Sequence, residues 1–183
     1  EISLAMRIAF IGSGAFGLPT LERLYADHEI VAVITAPPKK AGRNQKPRST
    51  TIGSWAIEHK VLLIEAEDVN ESSIIDQINS LDIEAMVIIA FGQKLSSEFI
   101  GNHFAINLHA SLLPEWRGAA PINASIINGD STTGVSVISI ADRMDAGVVF
   151  GSRVTNIGNI ETAGELHDRL SLLGPDLVSQ VLL

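Results

Sequence analysis

Asn107 and His109 are the side chains of this sequence best placed to do chemistry. They alternate with Phe104, Ile106 and Leu108, so a strand would put the amide and the imidazole on one face. Ser111 and Pro114 then break the ladder, because proline has no N–H to donate, which leaves the pair at the strand's carboxyl end. Open α/β sheets bind their ligands at that edge. An Asn amide can donate a hydrogen bond to an oxyanion, and imidazole can carry a proton near neutral pH. The plainer alternative is that both residues only satisfy loop backbone.

The elements that must position this pair read as alternating strands and helices. Arg7 to Ile11 is a strand leading into Gly12-Ser-Gly-Ala-Phe-Gly17, and Pro19 suits the first turn of the helix that follows. Ile30 to Thr35 is apolar on both faces, as a buried parallel strand should be. Thr50 or Thr51 caps a helix to Glu58, Val61 to Ile64 is a short strand, and Ser72 to Ile78 has helical spacing. Ala85 to Ala90 reads as a central strand ending in the turn Phe91-Gly92-Gln93. Pro121 to Asn128 is a helix closed by Gly129. Strands Gly134 to Ile140 and Val148 to Val154 are too close in sequence for a crossover and should pair antiparallel. From Thr162, the spaced leucines mark a final helix or a broken pair around Gly174-Pro175. The expected class is α/β: an open, mostly parallel Rossmann-like sheet, helices on both faces, with an antiparallel edge.

Composition narrows the function classes. With 183 residues, 46% of them hydrophobic and 19% charged, the chain can bury a substantial single core. It has no cysteine, which excludes disulfides and thiolate metal sites, and His28, His59, His103 and His167 are scattered, so no metal is expected. Apolar runs are too short to span a bilayer, and no signal peptide is visible, so a cytoplasmic, monomeric enzyme is the expectation. Residues 1–5 precede Met6 and read as a cloning scar. Gly12, Gly14 and Gly17 match a dinucleotide fingerprint, but Thr35-Ala-Pro-Pro stands where the ribose-binding acid belongs, which disfavours NAD. The net charge of −8 argues against a general nucleic-acid surface. One segment departs from this: Ala36 to Arg48 holds Lys39, Lys40, Arg43, Lys46 and Arg48 with no acid, and reads as a basic surface loop.

Asn107-Leu-His109-Ala-Ser111-Leu-Leu-Pro114, with Trp116-Arg-Gly-Ala-Ala-Pro-Ile122, resembles the signature of the 10-formyltetrahydrofolate-dependent formyltransferases, and most closely that of the methionyl-tRNA formyltransferase family. The resemblance runs from Met6-Arg-Ile-Ala-Phe-Ile-Gly12 through Pro37 to Lys46, Gly134-Val-Ser-Val and Met144-Asp-Ala-Gly147 to Leu173-Gly-Pro175. It implies transfer of a formyl group from 10-formyltetrahydrofolate to the amino group of initiator methionyl-tRNA. Asn107 and His109 would be catalytic, together with Asp145, which the apolar-Asp-x-Gly motif favours over Asp142; spacing alone does not separate the two. Folate would meet Ser111, Leu112, Leu113 and Pro114, with Phe91, Gly92, Gln93, Ile140, Ala141 and Asp142 around the pterin. The basic segment, with Phe16 in the first turn, would contact tRNA. That turn departs from the family's Gly-Thr-Pro-acid-Phe, since Gly12-Ser-Gly-Ala-Phe16 lacks the proline and the acid. The resemblance also implies a smaller C-terminal β-barrel domain, absent here, so residues 6–183 read as the catalytic domain of a longer protein. Formyltransferases acting on an aminosugar nucleotide or on glycinamide ribonucleotide are the alternatives, and a nucleotide-binding module without formyl chemistry is a further one.

Overall fold

Runs of Ile, Val and Ala set the frame of the molecule, because only a two-sided burial accommodates them. A computed structural model describes residues 4–141 and 145–183. β1 (Arg7–Gly12) leads through a 3-10 turn at Ala15–Gly17 into α1 (Leu18–Asp27), which buries Leu21 and Leu24, and then into β2 (Glu29–Thr35). β3 (Lys39–Ala41) and β4 (Lys46–Arg48) follow, and then α2 (Thr51–Glu58), where the Thr50 hydroxyl accepts from the Gly53 amide at 2.9 Å. β5 (Leu63–Glu65), α3 (Ser72–Asn79) and β6 (Ala85–Ile89) come next. A short α4 (Ser97–Ile100), capped by Ser96, precedes β7 (Phe104–His109). α5 (Pro121–Ile127), β8 (Thr132–Ser139), β9 (Val149–Asn156), α6 (Ala163–Ser171) and α7 (Gly174–Leu182) complete the chain, so the last helical stretch is a broken pair.

The main sheet has the order β5-β2-β1-β6-β7-β8-β9, with parallel pairing from β5 to β7 and antiparallel pairing beyond it. Phe10, Val33, Val87, Ile106 and Val135 pack one face against Leu21, Leu24, Ile52, Leu166, Leu170 and Leu177 from α1, α2, α6 and α7. Ile11, Ile34, Met86, Ile88 and Ala105 pack the other against Ile75, Ile78 and Phe99 from α3 and α4. The strand order reverses between β1 and β6, so the crevice at their carboxyl ends is the topological switch point, one strand away from the end of β7.

The basic segment differs from its reading as a loop. Lys39 to Ala41 pairs antiparallel with Lys46 to Arg48 around Gly42, whose φ of +76° suits the turn. Each of these strands is three residues long and exposed, so it has no apolar alternation by which a sequence could announce it. α4 was unforeseen for the same reason of length.

One charge cluster ties β9 to α6. Arg169 bonds Glu161 with two nitrogens, at 2.8 and 2.9 Å, and the Gly158 amide donates to the same carboxylate at 3.0 Å. The Arg169 bond first, and then the Gly158 amide, hold the Glu161 carboxyl well below its ordinary range, at about 2. A depressed acid stabilises the fold above its unfolded pKa of 4.5, and that contribution is lost as pH falls from 4.5 through about 2. Glu161→Gln should therefore lower the denaturation midpoint at pH 6 to 7, and the gap to the parent should close on acidification. A gap unchanged down to pH 2 would contradict this.

Candidate active site

β7 delivers Asn107 and His109 to the carboxyl edge as its alternation required. Asn107 pairs in register with Ile88 and Ile138, and His109 with Ser136. Asn107 is half-buried, and its side-chain amide has no hydrogen-bond partner among the described residues. His109 is buried. Its Nε2 donates to the Trp116 carbonyl at 2.9 Å, and its Nδ1 lies 3.7 Å from Oδ2 of Asp145. The two side chains are only 9% and 8% exposed, so their electrostatic interaction is weakly screened. Oδ2 of Asp145 also accepts from the Gly118 amide at 2.8 Å, which fixes the carboxylate beside the imidazole. The backbone at Asp145 is left-handed, with φ of 51°, a conformation that Asp tolerates better than most residues. The geometry thus brings Asn107, His109 and Asp145 to one place. Asp142, the competing aspartate, lies outside the described residues.

The signature after β7 is a loop that binds itself together. The Ser111 hydroxyl is fully buried and donates to the Glu115 carbonyl, while the Ser111 carbonyl accepts from the Ser136 hydroxyl at 2.7 Å. Ser136 in turn accepts from the Leu113 amide at 3.1 Å. Ser111 thus has both its hydroxyl and its carbonyl committed to holding the loop. Leu112 and Leu113 are half-buried, and Pro114, joined by a cis peptide bond, is exposed. Sequence reasoning missed Ser136. Its signal was a lone hydroxyl in the otherwise apolar run Gly134-Val-Ser-Val-Ile138, where a buried polar group needs partners.

The remaining candidates spread over the same edge with mixed roles. Phe91 is a core residue, and Gly92 has φ of +85° with open space beside it. Gln93 is committed to the loop before α3: its amide donates to the Ala66 carbonyl at 3.0 Å and its oxygen accepts from the Val69 amide at 3.1 Å. Ile140 packs against the second core face, and Ala141 is exposed. Phe16 is 6% exposed, with its ring edge-on to His167 at 5.3 Å, and so belongs to the core and not to the basic hairpin. Lys39, Lys40, Arg43, Lys46 and Arg48 are exposed on that hairpin, and among the described residues none is paired with a carboxylate.

The glycine turn at the switch point is built for packing. A Cβ on Gly12 would meet the Ile89 carbonyl oxygen at 2.3 Å, and one on Gly17 would meet the Phe10 ring at 2.9 Å. The amides of Ser13 and Gly14 both donate to the Ala90 carbonyl, at 3.0 and 3.2 Å, so neither is aimed at a phosphate as in a dinucleotide site. Among the described residues, no three His, Cys, Asp or Glu side chains converge as a metal site would require, and no helix is long and apolar enough to cross a membrane.

The sequence pattern of the formyl transferase family matches residues 6–182. The chain belongs to that family. Among curated formyl transferases, it is 38% identical over 175 residues to the methionyl-tRNA formyltransferase of Fusobacterium nucleatum, covering 94% of this chain and 56% of that protein. It is 39% identical over 181 residues to the methionyl-tRNA formyltransferase of Halothermothrix orenii, covering 97% and 57%. The chain therefore spans a little over half the length of these relatives. Solved formyl transferases share the fold. Glycinamide ribonucleotide transformylase 1 from Symbiobacterium toebii superposes with a TM-score of 0.81 at 13% identity, covering all of this chain and 87% of that one. Phosphoribosylglycinamide formyltransferase from Coxiella burnetii does so at 0.78 and 22%, covering 97% and 85%.

Proposed function

We propose that this chain transfers a formyl group from 10-formyltetrahydrofolate to the amino group of initiator methionyl-tRNA. The observation that carries the reading is the buried His109–Asp145 pair on the strand edge with Asn107, whose amide has no partner among the described residues. The amine nitrogen attacks the formyl carbon, a C–N bond forms, and the carbonyl oxygen becomes an oxyanion that Asn107 meets with its N–H. A preorganised donor of this kind lowers a barrier by roughly 3 kcal/mol. As the bond from carbon to the folate nitrogen breaks, that nitrogen gains a proton and the former amine loses one. His109 carries this proton, and Asp145 stabilises the imidazolium in between. The curated relatives are named for methionyl-tRNA, which favours that acceptor. The likeness to glycinamide ribonucleotide enzymes, at 13–22% identity, speaks for the fold alone.

The exposed cations of the hairpin, none paired with a carboxylate among the described residues, rise from the carboxyl end of β2 on the same edge as His109, and support a polyanionic acceptor. The rest of the chain has eight basic residues against twenty-one acidic ones, which repels such a partner. Five phosphate contacts would weaken by about two to three orders of magnitude between about 50 and about 200 mM salt. Formylation of methionyl-tRNA by these residues should show that steep dependence and run far below that of the full-length relatives. Arg43→Ala with Lys46→Ala should remove most of it and leave binding of a formyl-folate analogue intact. The test is a transfer assay offering methionyl-tRNA, glycinamide ribonucleotide and an aminosugar nucleotide in turn. Transfer to either small acceptor in preference to tRNA, or salt-insensitive activity, would overturn the reading.

A further inference from the structure

We propose that Trp116 and Asp130 are positioning residues that set the tautomer and orientation of His109. The inference rests on the reading of His109 as the proton carrier, but its structural content stands apart from that reading. The Trp116 indole N–H donates to Oδ2 of Asp130 at 2.7 Å, and the Trp116 carbonyl receives Nε2 of His109 at 2.9 Å. Trp116 has φ of 52°, a left-handed conformation uncommon for a bulky side chain, which persists only where surrounding contacts hold it. The indole bond is such a contact. Asp130 is itself anchored: its amide donates to the Ser125 carbonyl at 3.0 Å, and its Oδ1 accepts from the Asn128 side chain at 2.6 Å. A rigid path therefore runs from the end of α5, through Asp130 and the indole, to the imidazole.

The direction of the last bond matters chemically. A carbonyl oxygen only accepts, so Nε2 carries the hydrogen, and a neutral ring then keeps its lone pair on Nδ1. Nδ1 is the nitrogen facing Asp145 at 3.7 Å, too far for a hydrogen bond. The strut thus leaves Nδ1 as the atom that takes and returns the proton, with a carboxylate at hand for the cation. Without the strut, the ring could turn or adopt the other tautomer, and neither the lone pair nor Asp145 would be in register with the reacting amine.

The test uses nitrogen-15 correlation spectra of the imidazoles in this chain, beside turnover of formyl donor. The parent should show His109 as the Nε2–H tautomer. Asp130→Ala and Trp116→Phe should each give a mixture of tautomers and lower kcat roughly ten- to a hundredfold, with KM within about twofold. The double variant should be no worse than either single one, because both break one path. Asp130→Asn should restore parental spectra and rate, since its oxygen still accepts from the indole while the Asn128 amide can turn to pair with its nitrogen. Unchanged His109 signals in Asp130→Ala, or equal losses from Asp130→Ala and Asp130→Asn, would overturn the proposal. If the parent formylates no acceptor while the spectra respond as stated, the proposed function falls and the strut stands.

Discussion

Asn107→Ala and His109→Ala are each expected to lower formyl transfer at least about a hundredfold, while affinity for a formyl-folate analogue stays within about threefold. The first loses the donor that meets the oxyanion, which a mutational cost of roughly 3 kcal/mol translates into two to three orders of magnitude. The second loses the proton carrier, whose contribution is roughly two to four orders of magnitude. Both residues address the reacting carbonyl, which is polarised fully only in the transition state, so kcat should fall without a matching rise in KM. Folding should be nearly intact for Asn107→Ala, because its amide has no partner among the described residues to lose. Single-turnover rates and equilibrium binding, measured on variants with parental denaturation curves, decide the matter. Near-normal turnover in either variant would remove that residue from the mechanism.

Gly147→Ala should inactivate as severely as Asp145→Asn, although Gly147 touches no reacting atom. A Cβ at Gly147 would stand 1.8 Å from the Ser139 carbonyl oxygen, and β8 cannot move aside. Ser139 donates its amide to the Val148 carbonyl at 2.9 Å and accepts the Val148 amide on its hydroxyl at 2.8 Å, which pins the two segments together. The loop must shift instead and take Asp145 with it, away from the Gly118 amide and from His109. Overpacking of this kind also destabilises by roughly 1–3 kcal/mol. Asp145→Asn should lose at least about a hundredfold in rate with little loss of stability, because an Asn oxygen still accepts from Gly118. Asp142→Asn should remain active. Normal turnover in Gly147→Ala would show that the loop tolerates displacement, and equal losses from both aspartate variants would undo the choice of Asp145.

The strand carrying Asn107 and His109 was legible because a period of two, an apolar partner at every other position and a proline stop all point the same way. The same local rules placed a cap at Thr50 or Thr51, of which the structure selects Thr50, and foresaw the antiparallel pairing of β8 with β9. The hairpin at Lys39 to Arg48 was not legible, since its pairing buries nothing. Nor could sequence assign the hydroxyls of Ser111 and Ser136. One belongs to a loop and the other to a strand 25 residues away, and only the register of His109 opposite Ser136 brings them together.

By itself, then, the sequence determined the longer strands and helices, the parallel core and the edge at which the reactive pair emerges, because these follow from periodicity and from the carboxyl-end rule for open sheets. Its motifs further singled out Asp145 as the partner of His109. What only the tertiary structure decided is how that partnership is held. Asp145 is separated from Gly118 by 27 residues, and Trp116 from Asp130 by 14, so no local propensity couples them. Their distances are consequences of loops folding onto one sheet edge, where backbone groups with no strand or helix to join must find partners among side chains.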